Sequence, residues 1–511
     1  MERKWWTLVA VCGGIFMLLL DITIVNVALP DIERDLGASL SDLQWVIDAY
    51  ALTLAALLLT AGSLADRFGR RLLFSIGIVV FTLGSLLCGA AETPLMLTLS
   101  RAVQGVGGAI MFATALALLS NAFRGRDRGA AFGAFGATTG IAVAVGPVLG
   151  GAITSGLSWR WIFFVNLPVG ILALAVTLMH VDESREPHAR PLDWVGFLTF
   201  SGGLAALVFG LIRSHADGWS STTVVGCLVA SVVLLTAFVV AEALQREPMF
   251  DLSLLRKPTF VGGLIAAFAV AASIFSVLTY LVLYMQNLLG LSAIETGVRF
   301  LTLSGAIFVT AAIAGRLSAR VPTRLLIAPG FLLVGIGLLL MRGLSPESDW
   351  THLIPGLIVA GAGAGFINVP LANTAVAVVE PARAGMASGI NSTFRQVGIA
   401  TGIAALGSIF ATTLKDTVVS SLAHTPVADR AESIAAAIST GGGTERIAGA
   451  GAEARAAIEQ AAAAGFVDGL NLILLIGAIV AFAAAVSTFV LIRQRDFVQQ
   501  GAPDEGTLAA A

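Results

Sequence analysis

Apolar runs close to the length of a bilayer crossing follow one another along almost the whole chain. A helix needs about 20 apolar residues to cross the hydrocarbon core. Fourteen runs meet that need, near 5–30, 43–62, 72–91, 95–119, 129–153, 161–179, 195–212, 223–242, 260–285, 297–316, 325–342, 353–378, 387–413 and 466–492. Short segments rich in Gly, Pro and charge separate them and read as turns. The pattern predicts an all-α polytopic membrane protein with fourteen transmembrane helices. An even number places both termini on one side.

Composition agrees. Of 511 residues, 57% are hydrophobic and 12% charged, against about one-quarter charged in a soluble domain. The formal net charge is -2 and no basic domain is present, which argues against a nucleic-acid binder. Cys12, Cys88 and Cys227 all sit in apolar stretches and read as small buried hydrophobes, not a disulfide framework or metal cage. Arg3 and Lys4 precede an apolar run without an obvious cleavage site, so the run is expected to stay as the first helix.

Lys and Arg set the orientation. With the N-terminus inside, inner segments hold 19 of the 30 basic residues and outer segments 9, and Arg101 and Arg395 lie within spans. Trp5, Trp6, Trp45, Trp159, Trp161 and Trp194 fall near span ends, where aromatic rings prefer the interface. The expectation is a plasma-membrane protein with both termini cytoplasmic.

The chain carries a weak internal repeat. Gly62-Ser-Leu-Ala-Asp-Arg-Phe-Gly-Arg-Arg71 follows span 2, and Gly315-Arg-Leu-Ser-Ala-Arg-Val-Pro-Thr-Arg324 follows span 10. Both follow the second helix of a six-helix block. This divides the chain into an N-terminal six-helix bundle (1–180), two inserted helices with their flanking loops (181–259), a C-terminal six-helix bundle (260–495) and a tail (496–511). Parallel repeats of this kind place a substrate site between the halves near the bilayer midplane. The long outer loop 414–465 is expected to be a solvated spacer or a lid, with a short helix over Glu453 to Ala464 and a mobile Gly441-Gly442-Gly443 run.

Charges inside the spans are the candidate chemistry. A carboxylate near the bilayer centre costs about 2.5–3.5 kcal/mol on insertion scales, so it is expected to face a cavity or a partner. Asp21 in span 1 is such a residue, and burial disfavours its charged form, which suits proton loading and release. Asp48 lies about five residues into span 2. Two acids near one cavity would attract lipophilic cations. Arg101 in span 4 lies at a depth similar to Asp21, and a proton-dependent pair between them would make a two-state switch. Arg395 lies about nine residues from the inner end of span 13 and reads as conformational. No carboxylate sits near the middle of spans 9–14, which assigns proton handling to the first half. Thr23, Asn26, Tyr50, Gln104, Asn368, Asn373, Asn391 and Gln396, with Phe residues, are candidates to line a cavity for bulky amphipathic molecules.

Several segments resemble one family. Gly62 to Arg71 looks like the signature loop of the major facilitator superfamily. Leu20-Asp21-Ile-Thr-Ile-Val-Asn26-Val-Ala-Leu-Pro30 resembles the first-helix motif of its 14-helix drug:proton antiporter branch. Leu99-Ser-Arg101-Ala-Val-Gln104-Gly105-Val-Gly107-Gly108 is similar to the branch's fourth-helix motif. Gly140-Ile-Ala-Val-Ala-Val-Gly146-Pro147-Val-Leu-Gly150-Gly151 resembles its fifth-helix motif, and Trp159-Arg-Trp-Ile-Phe-Phe-Val-Asn-Leu-Pro168 its sixth-helix one. The resemblance implies the major facilitator fold, alternating access and proton coupling through Asp21. It implies export, which the Gly146-Pro147 motif tracks, and a gate at Gly62, Asp66, Arg67, Gly69 and Arg70. In the second repeat Ala319 stands where the first has Asp66.

Other classes fit poorly. A nucleotide-binding loop needs Gly-x-x-x-x-Gly-Lys-Ser/Thr, and none of Lys4, Lys257 and Lys415 fits it. The five His residues lie in or beside loops without a metal-binding spacing, so no enzyme is expected. The expectation is a monomeric antiporter driven by the proton gradient, without cofactor, metal, ATP or nucleic acid. Its partners would be protons, the lipid bilayer and an amphipathic, cationic small molecule. The alternative is a dedicated exporter of one endogenous metabolite, antibiotic or lipid.

Overall fold

The computed structural model describes residues 2–38, 40–123, 125–185, 193–245, 250–318, 320–380, 383–423, 425, 427–439 and 452–497. Fourteen helical rods run through them. The first six are α1 (Arg3–Leu36), α2 (Leu40–Phe68), α3 (Arg70–Gly89), α4 (Pro94–Ala122), α5 (Gly125–Gly156) and α6 (Trp161–His180). The inserted pair is α7 (Trp194–Asp217) and α8 (Thr222–Leu244). The last six are α9 (Pro258–Leu288), α10 (Ala293–Leu317), α11 (Arg324–Leu340), α12 (Ile354–Ala377), α13 (Ala384–Leu422) and α14 (Ala452–Leu491). Among the described residues, 12 of the helices are long and apolar enough to cross a membrane. The other two are α5, which has 32 residues, and α11, an apolar helix of 17 residues.

Each set of six buries its own apolar core. One core joins α1 through α6, and the other joins α9 through α14. The first core continues across the halves through Ala311, Ala314, Val369, Ala372, Val376 and Ala384. These residues lie at the end of the bundle where α2 meets α3. The halves therefore seal together at that end, called here the Gly69 end.

Glycine makes the seal close. A Cβ on Gly62 of α2 would stand 2.3 Å from the Gly385 carbonyl oxygen of α13, and one on Gly129 of α5 would stand 2.2 Å from that of Gly315 in α10. No other residue fits such backbone approaches without moving a helix.

Two features differ from the sequence expectation. Gly62 to Phe68 is not a loop but the last two turns of α2, and Gly69 alone separates α2 from α3. Gly69 adopts φ +120, which favours glycine. Its absent side chain leaves room for Glu183, whose carboxylate accepts the Arg71 and Leu72 amides (both 3.0 Å) and caps α3. Charge in the segment ended the apolar run, but not the helix. Likewise, much of 414–465 is helical. α13 runs on to Leu422, a short helix covers Ala431–Ser439, and the helix expected over Glu453 to Ala464 is the start of α14. Alanine-rich composition sustains helix beyond the membrane. Gly441 to Gly443 lie outside the described residues.

The inserted pair is asymmetric. α7 seats on α2 and α13, where the Thr60 and Ser201 hydroxyls meet at 3.2 Å and Trp45 packs on Phe209. α8 leans on α7 and exposes Val229, Val232, Val233 and Val240. α8 still reaches a buried cluster at one point, where Phe238 packs with Phe250 beside Leu59, Phe260 and Met386. At the far end of the bundle, Asp35 accepts from Arg160 and from the Trp159 indole (3.0 Å), tying α1 to α6. Those donors hold its carboxyl below the usual range.

The Gly62 approach predicts a steric lock-out. Gly62→Val is expected to insert normally and lose transport. A cysteine placed at Ser388 should then label at least about five times faster from the Gly69 side, because a side chain wedged between packed backbones must part them. Unchanged labelling and transport would show that the halves do not need this contact.

Candidate functional site

Three helices of the first half converge on one buried acid. Asp21 is 0% exposed and Arg101 2% exposed. Arg101 Nη1 donates to Asp21 Oδ2 at 2.5 Å and to Gln104 Oε1 at 2.7 Å. Gln104 Nε2 donates to Asp21 Oδ1 at 2.8 Å, and Asn166 Nδ2 reaches the same oxygen at 3.1 Å. Guanidinium only donates, so it fixes which way the Gln104 amide faces. Arg101 Nε donates to the Val46 carbonyl at 3.1 Å, and its guanidinium lies 4.3 Å from the Tyr50 ring centroid.

A buried ion pair returns its desolvation cost only when the remaining donors and acceptors are also satisfied. Here Asp21 receives three donors on its two oxygens. The Arg101 charge is shared among a carboxylate, an amide, a carbonyl and an aromatic face. Arg101 and Gln104 are three residues apart on α4 and so present one face to α1.

Asn166 enters from α6, just past a break at Val165 that separates Trp161–Phe164 from Asn166–His180. Its Nδ2 also donates to Ser85 of α3 at 2.9 Å, and Ser85 donates to the Phe163 carbonyl at 2.9 Å. Asn166 and Ser85 are the residues that sequence reasoning missed. The signal for Asn166 was an Asn inside an apolar run, where an unsatisfied amide is costly. Ser85 gave no such signal, since a serine can satisfy itself within its own helix.

The other candidates disperse. Asp48 is half-buried and stands apart from this cluster, within electrostatic reach of Arg213 of α7. Thr23 donates to the Leu20 carbonyl at 3.0 Å and packs where a Gly146 side chain would be, so it joins α1 to α5. Tyr50 is part of the Arg101 cage, and its hydroxyl has no hydrogen-bond partner among the described residues. Asn391 is buried with Oδ1 likewise unpartnered. The side chains of Asn26 and Pro147 lie outside the described residues.

The gate residues meet a helix end. Asp66 Oδ1 accepts from Arg70 (2.8 and 3.0 Å) and from the Gly385 amide (2.9 Å), and Oδ2 accepts the Met386 amide (2.8 Å). Arg383, at the start of α13, provides no side-chain cap. Asp66 thus caps the α13 N-terminus from the opposite half, where a carboxylate suits both the free N–H groups and the helix dipole. Arg67 lies over the Phe68 ring. Ala319 lies outside the described residues.

A narrow cavity of about 20 Å³ lies between the halves. Its walls include Thr139 of α5, Ile274 and Phe275 in a π turn of α9, Ser304 and Ile307 of α10, and Asn368 of α12. Arg395 of α13 donates to Asn368 Oδ1 at 3.0 Å. Its lining is apolar with a few polar groups, and in this closed arrangement it has room for little more than a water.

Removing one partner of the buried pair should cost more than removing both charges. Arg101→Ala is expected to destabilise the protein by about 3–5 kcal/mol, the cost of stranding a buried carboxylate. Asp21→Asn with Arg101→Gln should recover most of that. Thermal unfolding in detergent reads both. Equal loss in the single and double variants would mean that the charges do not depend on each other.

The profile of the Major Facilitator Superfamily matches residues 11–403. The chain is 39% identical over 412 residues to the puromycin resistance protein pur8 of Streptomyces alboniger, covering 80% of this chain and 82% of that protein. It is 37% identical over 412 residues to the multidrug resistance protein Stp of Mycobacterium tuberculosis, covering 80% and 76%. The tetracenomycin C resistance and export protein of Streptomyces glaucescens is 34% identical over 415 residues, covering 81% and 77%. Among solved structures, the human organic anion transporter MFSD10 (TETRAN) superposes with a TM-score of 0.59 at 14% identity, covering 94% of this chain and 100% of that one. This last likeness concerns the fold alone.

Proposed function

The chain belongs to the major facilitator superfamily, a family of transporters and not of enzymes, and we propose that it is a proton-coupled antiporter exporting amphipathic drugs or toxic compounds from the cytoplasm. The observation that carries this reading is the buried Asp21–Arg101–Gln104–Asn166 cluster. It places a protonatable acid and a permanent cation in direct contact inside the first half. Relatives named for drug resistance and export support the direction.

The cycle follows from the geometry. In this conformation Asp21 is fully enclosed, so a proton reaches it only when the helices around it part. A proton on Asp21 removes the negative charge and leaves Arg101 uncompensated. The paired and parted arrangements are then separate states, and the proton chooses between them. The Asp66 cap and the glycine contacts hold the Gly69 end, assigned to the cytoplasm, while the far side exchanges proton and drug. Release of the proton to the cytoplasm restores the pair. Substrate occupies the space between the halves, and Asp48 favours cationic molecules. The energy source is the proton gradient, with no cofactor, and the working unit is a monomer in the plasma membrane with both termini cytoplasmic.

A second reading has its own support, because two relatives are named for a single antibiotic each. It is a dedicated exporter of one metabolite, built on the same proton chemistry.

Everted vesicles with an acidic lumen separate these readings. Addition of ethidium should release lumenal protons, followed with a pH dye. Asp21→Asn is expected to reduce that release at least about tenfold, since a positioned proton carrier contributes a factor of that order or more. Asp48→Asn should weaken the response to cationic drugs only. No response to a broad drug panel, in inserted protein, would overturn the multidrug reading in favour of the dedicated exporter.

A further inference from the structure

Arg395 is an intramembrane cation that the proton chemistry does not use. It lies 11 residues past Ala384 in α13, about 17 Å along the helix and so near the middle of a bilayer about 30 Å thick. Such charges are costly, pair with something, and mark substrate or ion pathways. Arg101 shows what full pairing looks like in this protein. Arg395 has nothing comparable. Its bond to Asn368 Oδ1 (3.0 Å) is to a neutral amide, and it forms no ion pair among the described residues. The acids of α9 to α14 are Glu295, Asp416, Glu453, Glu459 and Asp468, all far along the helices from the level of Arg395. Side-chain exposure agrees, since Arg395 is half-buried and Arg101 enclosed.

The surroundings hold several polar groups without partners among the described residues. Guanidinium has five N–H donors and no acceptor, so it claims Asn368 Oδ1. That leaves the Asn368 Nδ2 amide, which forms no hydrogen bond among the described residues, on a residue that lines the cavity between the halves. Ser304, on the same cavity, is another hydroxyl without a bond among the described residues. Ser388 and Asn391 lie seven and four residues before Arg395, on the same side of α13. Both are buried, and Ser388 Oγ and Asn391 Oδ1 have no partner among the described residues.

We propose that Arg395 and Asn368 form an oxyanion subsite of the transport cavity, which reads a carboxylate or phenolate on the exported molecule. The proposal rests on the exporter reading and names one substrate feature within it. The missing counter-ion of Arg395 is supplied by the cargo. A guanidinium pairs with a carboxylate through parallel, charge-assisted bonds, and the Asn368 amide adds a third donor. Substrates with both a cationic and an oxyanionic group would engage both halves.

Rhodamine 110 and rhodamine 123 test this, because they share one scaffold and differ in a free carboxylate against its methyl ester. Binding of each to purified protein in detergent is read by fluorescence anisotropy, which needs no transport. The wild type is expected to bind rhodamine 110 about tenfold more tightly than rhodamine 123, the scale of one charge-assisted bond. Arg395→Gln should abolish that preference while rhodamine 123 binds within about twofold of wild type, and Arg395→Lys should keep part of it. Asn368→Asp is the decisive variant. It gives Arg395 a carboxylate of nearly the same size, so a purely structural arginine would be held better. The proposal instead requires the preference to vanish. Retained preference in Asn368→Asp, equal loss of both dyes in Arg395→Gln, or a wild type that binds neither dye or the ester equally well would overturn it. Failure of the exporter reading shows separately, as absent proton-driven movement of rhodamine 123 in vesicles.

Discussion

The cost of holding charge inside a bilayer organises this structure. Asp21 and Arg101 are each expensive alone and tolerable together. Their pairing fixes where α1 and α4 meet, and Asn166 draws α6 to the same point. Both oxygens of Asp21 are occupied, which makes the enclosed arrangement a definite state. It also makes the arrangement sensitive, because one proton on Asp21 changes the charge balance of the whole group. A carboxylate facing a water-filled margin would absorb that proton with little consequence.

The second constraint is that the two halves meet through backbone. At the Gly69 end, glycines let α2 touch α13 and α5 touch α10 with carbonyls almost against Cα atoms. Asp66 adds a polar latch, since the α13 N-terminus takes its cap from α2. Parting the halves therefore leaves two α13 amides and a buried carboxylate without each other. Packed backbones and a shared cap separate as a unit, and rigid halves that rock need such a unit. α7, seated on α2 and α13 together, lies over one of these seams, so the inserted pair is positioned to affect that motion.

The sequence made the membrane fold legible because apolar length is imposed by the bilayer and needs no tertiary context. Asp21 and Arg101 were legible for the same reason, as charge where the solvent forbids it. Gln104 stood out as a polar residue one turn from Arg101. Asn166 and Ser85 were not singled out, because their meaning depends on α3 and α6 bringing them to Asp21. The contact of Thr23 with Gly146 was not legible, since sequence gives no hint that α5 meets that face of α1. The end of α2 was misread because charge ends an apolar run without ending a helix. Arg395 was visible as a buried charge, but its incomplete pairing is a property of its neighbours.

The two intramembrane arginines show how coupling can work without direct competition for one residue. If Asp21 also held the cargo, proton and substrate would exchange at a single carboxylate, and the cargo would have to be a cation. In this protein Asp21 is enclosed by its own half, while the half-buried cation Arg395 hydrogen-bonds to a wall of the cavity from the other half. On the proposed reading, proton and cargo act on different helices. They would be linked because both bias the same motion of the halves, and a ligand shifts that equilibrium only by its differential affinity for the two states. An oxyanion at Arg395 would supply such a difference if closure brings first-half residues such as Thr139 against it. Exchange would then be enforced by the seams at α2–α13 and α5–α10. Weakening a seam should loosen the link between proton and cargo even where both sites remain intact.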